Sequence, residues 1–196
     1  MALSPYIVTK GVVLRETETR DADKILTLLT AERGKLSVIA RGVCRKGCKF
    51  AACAQPLAYS EWTLYKKGDW YYANEGATLE LFNGLRADLD AMALGFYLAE
   101  LTEFVTGEEN PAPELLRLLL NGLYALAKLN KDPALVKPAF TFRLLALAGF
   151  EPMIDGCAVC GAETAQSPVL DVVQGAELMQ CVAVVTRYFG GILLGT

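Results

Sequence analysis

Two segments of this 196-residue chain carry the residue types best suited to chemistry, the knuckle Cys157-Ala158-Val159-Cys160 and the basic run from Arg41 to Lys49. A CxxC pair can present two thiolates to one tetrahedral Zn²⁺. A closed structural zinc site needs four ligands, and Cys181 is the next cysteine, with none behind it. Cys157, Cys160 and Cys181 are therefore the candidate metal ligands, with Asp155, Asp171 or Glu177 available for the fourth place. The alternative is a pair of buried or idle thiols. The basic run places Arg41, Arg45, Lys46 and Lys49 within nine residues that include two glycines. It reads as a mobile positive loop able to reach several phosphates.

Lys35 and Arg33 on one side, and Lys66 and Lys67 on the other, can lengthen this positive track. Trp62, Tyr65, Trp70, Tyr71 and Tyr72 interleave with it, and bases stack on exposed rings. Strand alternation turns about half of such rings inward, so the cations carry the assignment more firmly than the aromatics. Cys44, Cys48 and Cys53 fall in the same region and read as incidental thiols. Glu100, Glu103, Glu108, Glu109 and Glu114 read as a solvated helix end.

Several chemistries are excluded. The chain has no histidine, which removes Ser-His-Asp and Cys-His catalysis. It has no glycine-rich turn of the Walker type, so ATP hydrolysis has no support. The chain is expected not to be a self-sufficient enzyme. Residues 1–10 lack a basic start followed by an apolar run, and uncharged stretches such as that between Arg117 and Lys128 fall short of the ~20 apolar residues that span a bilayer. A cytoplasmic protein without membrane segments is expected, its six cysteines kept reduced.

The net charge of −3 hides an asymmetry. Residues 1–74 carry 12 Lys and Arg against 7 Asp and Glu, whereas residues 75–115 carry 1 against 9. A basic first domain followed by an acidic segment fits a phosphate footprint with an acidic face left free for other partners; an ordinary solvated surface is the plainer reading.

The elements that must position these residues are short strands followed by helices. Ile25, Thr27 and Leu29 alternate, Glu32-Arg33-Gly34-Lys35 turns, and Leu36, Val38 and Ala40 resume the alternation, which predicts a hairpin. A second hairpin is predicted from Glu61 to Tyr72 around Lys66-Lys67-Gly68-Asp69. About five strands with glycine-bearing turns suit a small closed barrel such as the OB-fold. From Leu85 the period becomes helical. Leu85, Leu89, Met92 and Phe96 mark one face and Leu94, Leu98, Leu101 and Val105 another, which predicts a helix buried on two sides. Further helices are predicted over 114–130 and 133–147, with Pro138 in the first turn or at a kink. The predicted class is α+β: an OB-fold barrel over 1–80, a helical domain over 81–152, and a partial zinc-knuckle-like module over 153–196.

With these motifs in place, the chain resembles the RecO family. The points of similarity are Gly11-Val-Val-Leu-Arg15, Lys24 to Thr30, Gly34-Lys35-Leu36, Ile39-Ala-Arg-Gly42, Gln55-Pro56-Leu57, Leu85 to Leu89, Tyr97 to Leu101, and Gly149-Phe-Glu-Pro152 leading to Cys157 and Cys160. The resemblance implies an amino-terminal OB-fold, a helical domain and a zinc module. It implies a non-enzymatic recombination mediator in DNA repair, one that binds and anneals single-stranded DNA. It implies partnership with RecR, the tail of the single-strand binding protein and, indirectly, RecA. Carried onto this chain, DNA binding falls on Lys35, Arg41, Arg45, Lys46 and Lys49, and zinc on Cys157, Cys160 and Cys181. Family members usually carry a second CxxC and further helices. Here residues 182–196 instead resemble an internal motif of the IMPACT/YigZ family, as a fused, frameshifted or truncated reading frame would produce, and Arg187 and the Gly190-Gly191 pair receive no role. The competing readings are a protein-interaction adaptor with little DNA binding and a nuclease using a carboxylate-bound metal.

Overall fold

The computed structural model describes residues 6–19 and 22–151, together with the backbone of two short strands at 187–189 and 192–194. Five strands come first: β1 Tyr6–Glu18, β2 Lys24–Thr30, β3 Gly34–Ala40, β4 Tyr59–Lys67 and β5 Trp70–Glu80. They close into a barrel in the order β1-β2-β3-β5-β4. The closing contact is parallel and short, pairing Val38 with Tyr71 and Ile39 with Tyr72. This is an OB-like barrel, and both predicted hairpins are present, joined antiparallel through residues 31–33 and through Gly68 and Asp69. Closure leaves few unpaired strand edges, which is how so small a sheet avoids aggregation.

The barrel interior is lined by Val13, Leu26, Leu28, Leu36, Val38, Trp62 and Leu64, none more than 1% exposed. The alternation in β2 runs through Leu26 and Leu28 rather than through Leu29 as the pattern predicted. Leu29 points outward, yet it is buried because the helices cover that side of the barrel together with Val12, Leu14 and Leu57. A strand apolar on both faces is the consequence of packing between a barrel interior and a helical layer.

That layer consists of α1 Leu89–Val105, α2 Pro113–Ala127 and α3 Pro133–Leu147. A 3-10 turn over Asn83–Ala87 precedes α1, so the helix begins after Leu85, at the Asp88 cap, whose side chain accepts from the amides of Asp90 and Ala91. Only one face of α1 is buried, through Leu94, Leu98 and Ala99. The expectation of burial on two faces is corrected: Leu89 is 82% and Phe96 38% exposed. Leu98 packs with Leu119 and Leu123 of α2 and Phe140 of α3, and Gly122 permits the approach, since a Cβ there would stand 3.0 Å from Leu98 and 3.1 Å from Phe140. Pro138 lies inside α3, past its first turn, where its ring removes the hydrogen bond to the Ala134 carbonyl. Among the described residues, no helix is long and apolar enough to cross a membrane. Strands β6 Arg187–Phe189 and β7 Ile192–Leu194 pair antiparallel. The rest of the predicted 153–196 module, with Cys157, Cys160 and Cys181, lies outside the described residues.

The connection from α1 to α2 is itself part of the barrel wall. β3 meets β5 at two residues only, and residues 107–109 fill the edge left open at Lys35: the Lys35 amide donates to the Gly107 carbonyl, and the Glu109 amide to the Lys35 carbonyl. Gly34 makes this possible. Its φ is +58°, and a Cβ there would overlap the Asn110 carbonyl. Gly34→Ala is therefore expected to cost about 2 kcal/mol, roughly half from the left-handed backbone and the rest from displacing the connection. Urea unfolding measures this, and an unchanged midpoint contradicts the described docking.

Candidate nucleic-acid interface

The basic run follows β3 directly, but it is not a mobile loop. From Gly42 to Ala58 it is a chain of tight turns, in which the amides of Arg45, Cys48, Ala51 and Cys53 donate to the carbonyls of Gly42, Arg45, Cys48 and Phe50. It is tied down at both ends. The Gly42 amide donates to Asp23 Oδ1 at 2.6 Å and the Cys44 amide to the Ala22 carbonyl, while Leu57 and Ala58 pair with Val13. Val43, Cys53 and Ala54 are buried, and Phe50 meets Trp62 edge to face at 6.5 Å, so the segment plugs one end of the barrel. Apolar residues at Val43, Phe50, Cys53 and Ala54, spaced among the cations, are the signal that the charge pattern obscured.

The plug turns its cations outward. Arg41, Arg45, Lys46 and Lys49 are all exposed, and among the described residues none has a carboxylate within ion-pair distance. The turns from Gly42 to Arg45 and from Arg45 to Cys48 hold the backbone that carries all four. Lys35 is placed differently. It lies six residues before Arg41, about 20 Å away along an extended strand, half-buried, with its ammonium 3.5 Å from the Glu103 carbonyl. Arg41, Arg45, Lys46 and Lys49 are thus exposed on the segment that plugs the barrel end, whereas Lys35 is set apart, beside α1.

The aromatic residues sort by strand parity. Trp62 and Tyr71 are buried. Tyr65 and Tyr72 face outward from β4 and β5, half-buried, and lie in register with Tyr6 of β1. Register extends the row across the barrel: Ile25 of β2 pairs with Ile39 of β3, Ile39 with Tyr72, Tyr72 with Tyr65, and Tyr65 with Tyr6. The Tyr65 and Tyr72 rings stack with centroids 5.2 Å apart and 15° between planes, and Tyr6 meets Tyr65 edge-on at 6.2 Å. The Arg41 guanidinium lies 4.8 Å from the Tyr72 centroid, which joins the row to the basic plug. Sequence reasoning left Tyr6 and the two isoleucines out of the site, because cross-strand register, which puts them there, is a property of the closed barrel.

Three other barrel cations have carboxylate partners. Arg15 pairs with Glu103 at 2.8 Å, Lys24 with Glu16 at 2.7 Å, and Lys66 with Glu109 at 2.6 Å. Glu80 pairs with Lys128 and accepts from the Phe82 and Leu81 amides, which hold its carboxyl below the ordinary value. The acidic segment is therefore not a wholly free face: Glu103 and Glu109 tie it to the barrel. The Glu109 carboxyl is held below its ordinary value near 4.5 by hydrogen bonds from Lys66 and Tyr71. Because this pKa is lowered on folding, its contribution is complete above the ordinary value and is lost as pH falls through the folded value. Wild type and Glu109→Gln should accordingly differ in urea midpoint at neutral pH and converge in acid. A pH-independent difference contradicts the pairing.

Cys44 is exposed, Cys48 half-buried, and Cys53 buried with its sulfur 3.2 Å from the Thr78 hydroxyl. Among the described residues, no three His, Cys, Asp or Glu side chains are grouped as metal ligands.

An OB-like barrel with an outward aromatic row and a cationic plug, backed by a helical layer, defines the class of this chain. The profile for the amino-terminal domain of recombination protein O matches residues 1–82, and that for its carboxy-terminal domain residues 86–188. The chain belongs to the RecO family. It is 35% identical over 157 residues to the DNA repair protein RecO of Acetivibrio thermocellus, covering 80% of this chain and 62% of that protein. It is 36% identical over 154 residues to that of Caldicellulosiruptor bescii, covering 79% and 63%, and 39% identical over 155 residues to that of Desulforudis audaxviator, covering 79% and 61%. The chain thus spans a little over three-fifths of the length of these relatives.

Proposed function

We propose that this chain is a DNA repair and recombination mediator that binds single-stranded DNA across the outer face of its barrel, in the cytoplasm and without catalysing a reaction of its own. The observation that carries this reading is the junction of Arg41 with the tyrosine row: unpaired cations for the phosphates lie next to a stacking surface for the bases. Arg41, Arg45, Lys46 and Lys49 take the backbone, and Tyr65 and Tyr72, with Tyr6 beside them, take the bases. Lys35 joins where the strand passes toward α1. Annealing requires neutralised phosphates and bases held in order, so no nucleophile or general base is called for. Support also comes from the family, whose curated members are named DNA repair proteins.

Within the same reading, the chain works with RecR to load RecA on strands coated by single-strand binding protein, whose tail it contacts. Zinc has a structural part at most: Cys157, Cys160 and Cys181 offer three thiolates where a closed site needs four ligands, and the DNA-binding reading does not draw on it.

The test is a titration of a labelled homopyrimidine single strand over a salt series. With four phosphates neutralised, the logarithm of the affinity should fall against the logarithm of salt with a slope near −3, from about −0.7 per phosphate. An adaptor with little DNA binding would show no salt-sensitive complex, and that result rejects the proposal.

A further inference from the structure

We propose that the Lys66 ammonium and the Tyr71 hydroxyl form a phosphodiester site that Glu109 fills in the free protein, so that the α1 to α2 connection competes with a nucleic-acid backbone for the β4–β5 hairpin. The proposal rests on the single-strand binding reading above and adds a gated second stretch to it. Both donors converge on the same oxygen: Glu109 Oε1 accepts from Lys66 Nζ at 2.6 Å and from the Tyr71 hydroxyl at 2.7 Å. One anionic oxygen held by an ammonium and a hydroxyl is also how a non-bridging phosphate oxygen is bound.

Three features make the occupant replaceable. The pair is open to solvent, the Lys66 and Glu109 side chains being 43% and 52% exposed, and an exposed ion pair holds weakly. Glu109 has φ +51°, a left-handed conformation that a side-chain-bearing residue adopts at a cost, so release relieves strain. The backbone on either side is held to Lys35 by two hydrogen bonds at the long end of the range, 3.2 and 3.3 Å.

Room for a nucleotide is present. A groove of about 430 Å³ lies here, lined by Lys35, Lys66, Trp70 and Tyr71 and by the carboxylates Asp69, Glu108 and Glu109, so a backbone can enter only as the connection carrying the two glutamates withdraws. Trp70 is 41% exposed at the hairpin turn, beside the two lysines, and offers a ring to a base once the connection moves. Lys35 and Lys66 are both engaged in the free protein, Lys35 by the Glu103 carbonyl of α1 and Lys66 by Glu109 of the connection.

The test uses the whole chain and a labelled homopyrimidine oligonucleotide. At ~0.1 M salt, Glu109→Gln should bind about five-fold tighter than wild type, with a salt slope steeper by about 0.7, the increment of one phosphate on a single strand. The amide still accepts from Tyr71, so the fold is retained despite the small loss of stability expected above, and a single cooperative thermal transition well above the assay temperature verifies this. Asp90→Asn removes the same charge from the exposed start of α1, outside the groove and from a carboxylate without an ion pair among the described residues, and should leave the slope unchanged. Lys66→Ala should change wild-type binding little, yet abolish the gain in the Glu109→Gln background. A Glu109→Gln protein with wild-type affinity and slope, or a gain that survives Lys66→Ala, overturns the gate while leaving the barrel-face reading intact. Absence of salt-dependent binding by wild type and every variant overturns both.

Discussion

Replacing Arg41, Arg45 and Lys46 together with alanine should weaken single-strand binding about 100-fold at ~0.1 M salt and reduce the salt slope by about 2, the share of three phosphates. The effect should be the same for every base sequence, because backbone contacts carry no sequence information. Stability should change little. All three side chains are exposed and free of carboxylate partners among the described residues, and the turns that hold the plug are made by backbone groups. Arg41 also covers the Tyr72 ring, a contact worth about 0.5–1 kcal/mol at an exposed site, so a small loss of stability is expected from that residue alone. Anisotropy titrations across a salt series give both numbers. An unchanged slope would remove the plug from the interface.

The second large effect is expected from Tyr65→Ala with Tyr72→Ala. Base stacking on an aromatic side chain contributes about 1–3 kcal/mol per base, so losing two platforms should weaken binding by roughly 30-fold or more. The salt slope should stay at the wild-type value, because no phosphate contact is lost. This separates the two variants by mechanism as well as by size: one changes slope and affinity, the other affinity alone. Phenylalanine at both positions keeps the ring and should restore most of the binding. If the alanine pair binds normally while the charge variant does not, the tyrosine row is a surface feature of the barrel and the strand lies elsewhere around the plug.

The fold was legible where local pattern and tertiary environment agree. Both hairpins followed from turn residues between alternating segments, and the helices from leucine spacing and, for α3, from Pro133 at its start. Legibility failed where one segment serves two environments. Leu29 is apolar on the outward parity of β2 because helices cover it, and Leu89 and Phe96 extend the apolar pattern of α1 onto a face that stays exposed. The candidate site was legible in part. Charge density alone exposes Arg41, Arg45, Lys46 and Lys49, but their fixed placement depends on buried residues between them, and Lys35 shares their charge without sharing their location. The pairing of Lys66 with Glu109 joins residues 43 apart, a relation no local pattern contains. The tyrosine row is in the same position, because three residues from three strands become neighbours only when β1, β4 and β5 are side by side.

The most direct measurement is photocrosslinking of a bound oligonucleotide carrying 5-iododeoxyuridine, followed by mapping of the modified peptides. Iodouracil couples to aromatic side chains in contact with it, so the account predicts adducts at Tyr65 and Tyr72, and their loss when Arg41, Arg45 and Lys46 are alanine. Adducts confined to Tyr97, Tyr124 or Phe142 of the helical layer, with the barrel peptides unmodified, would contradict it.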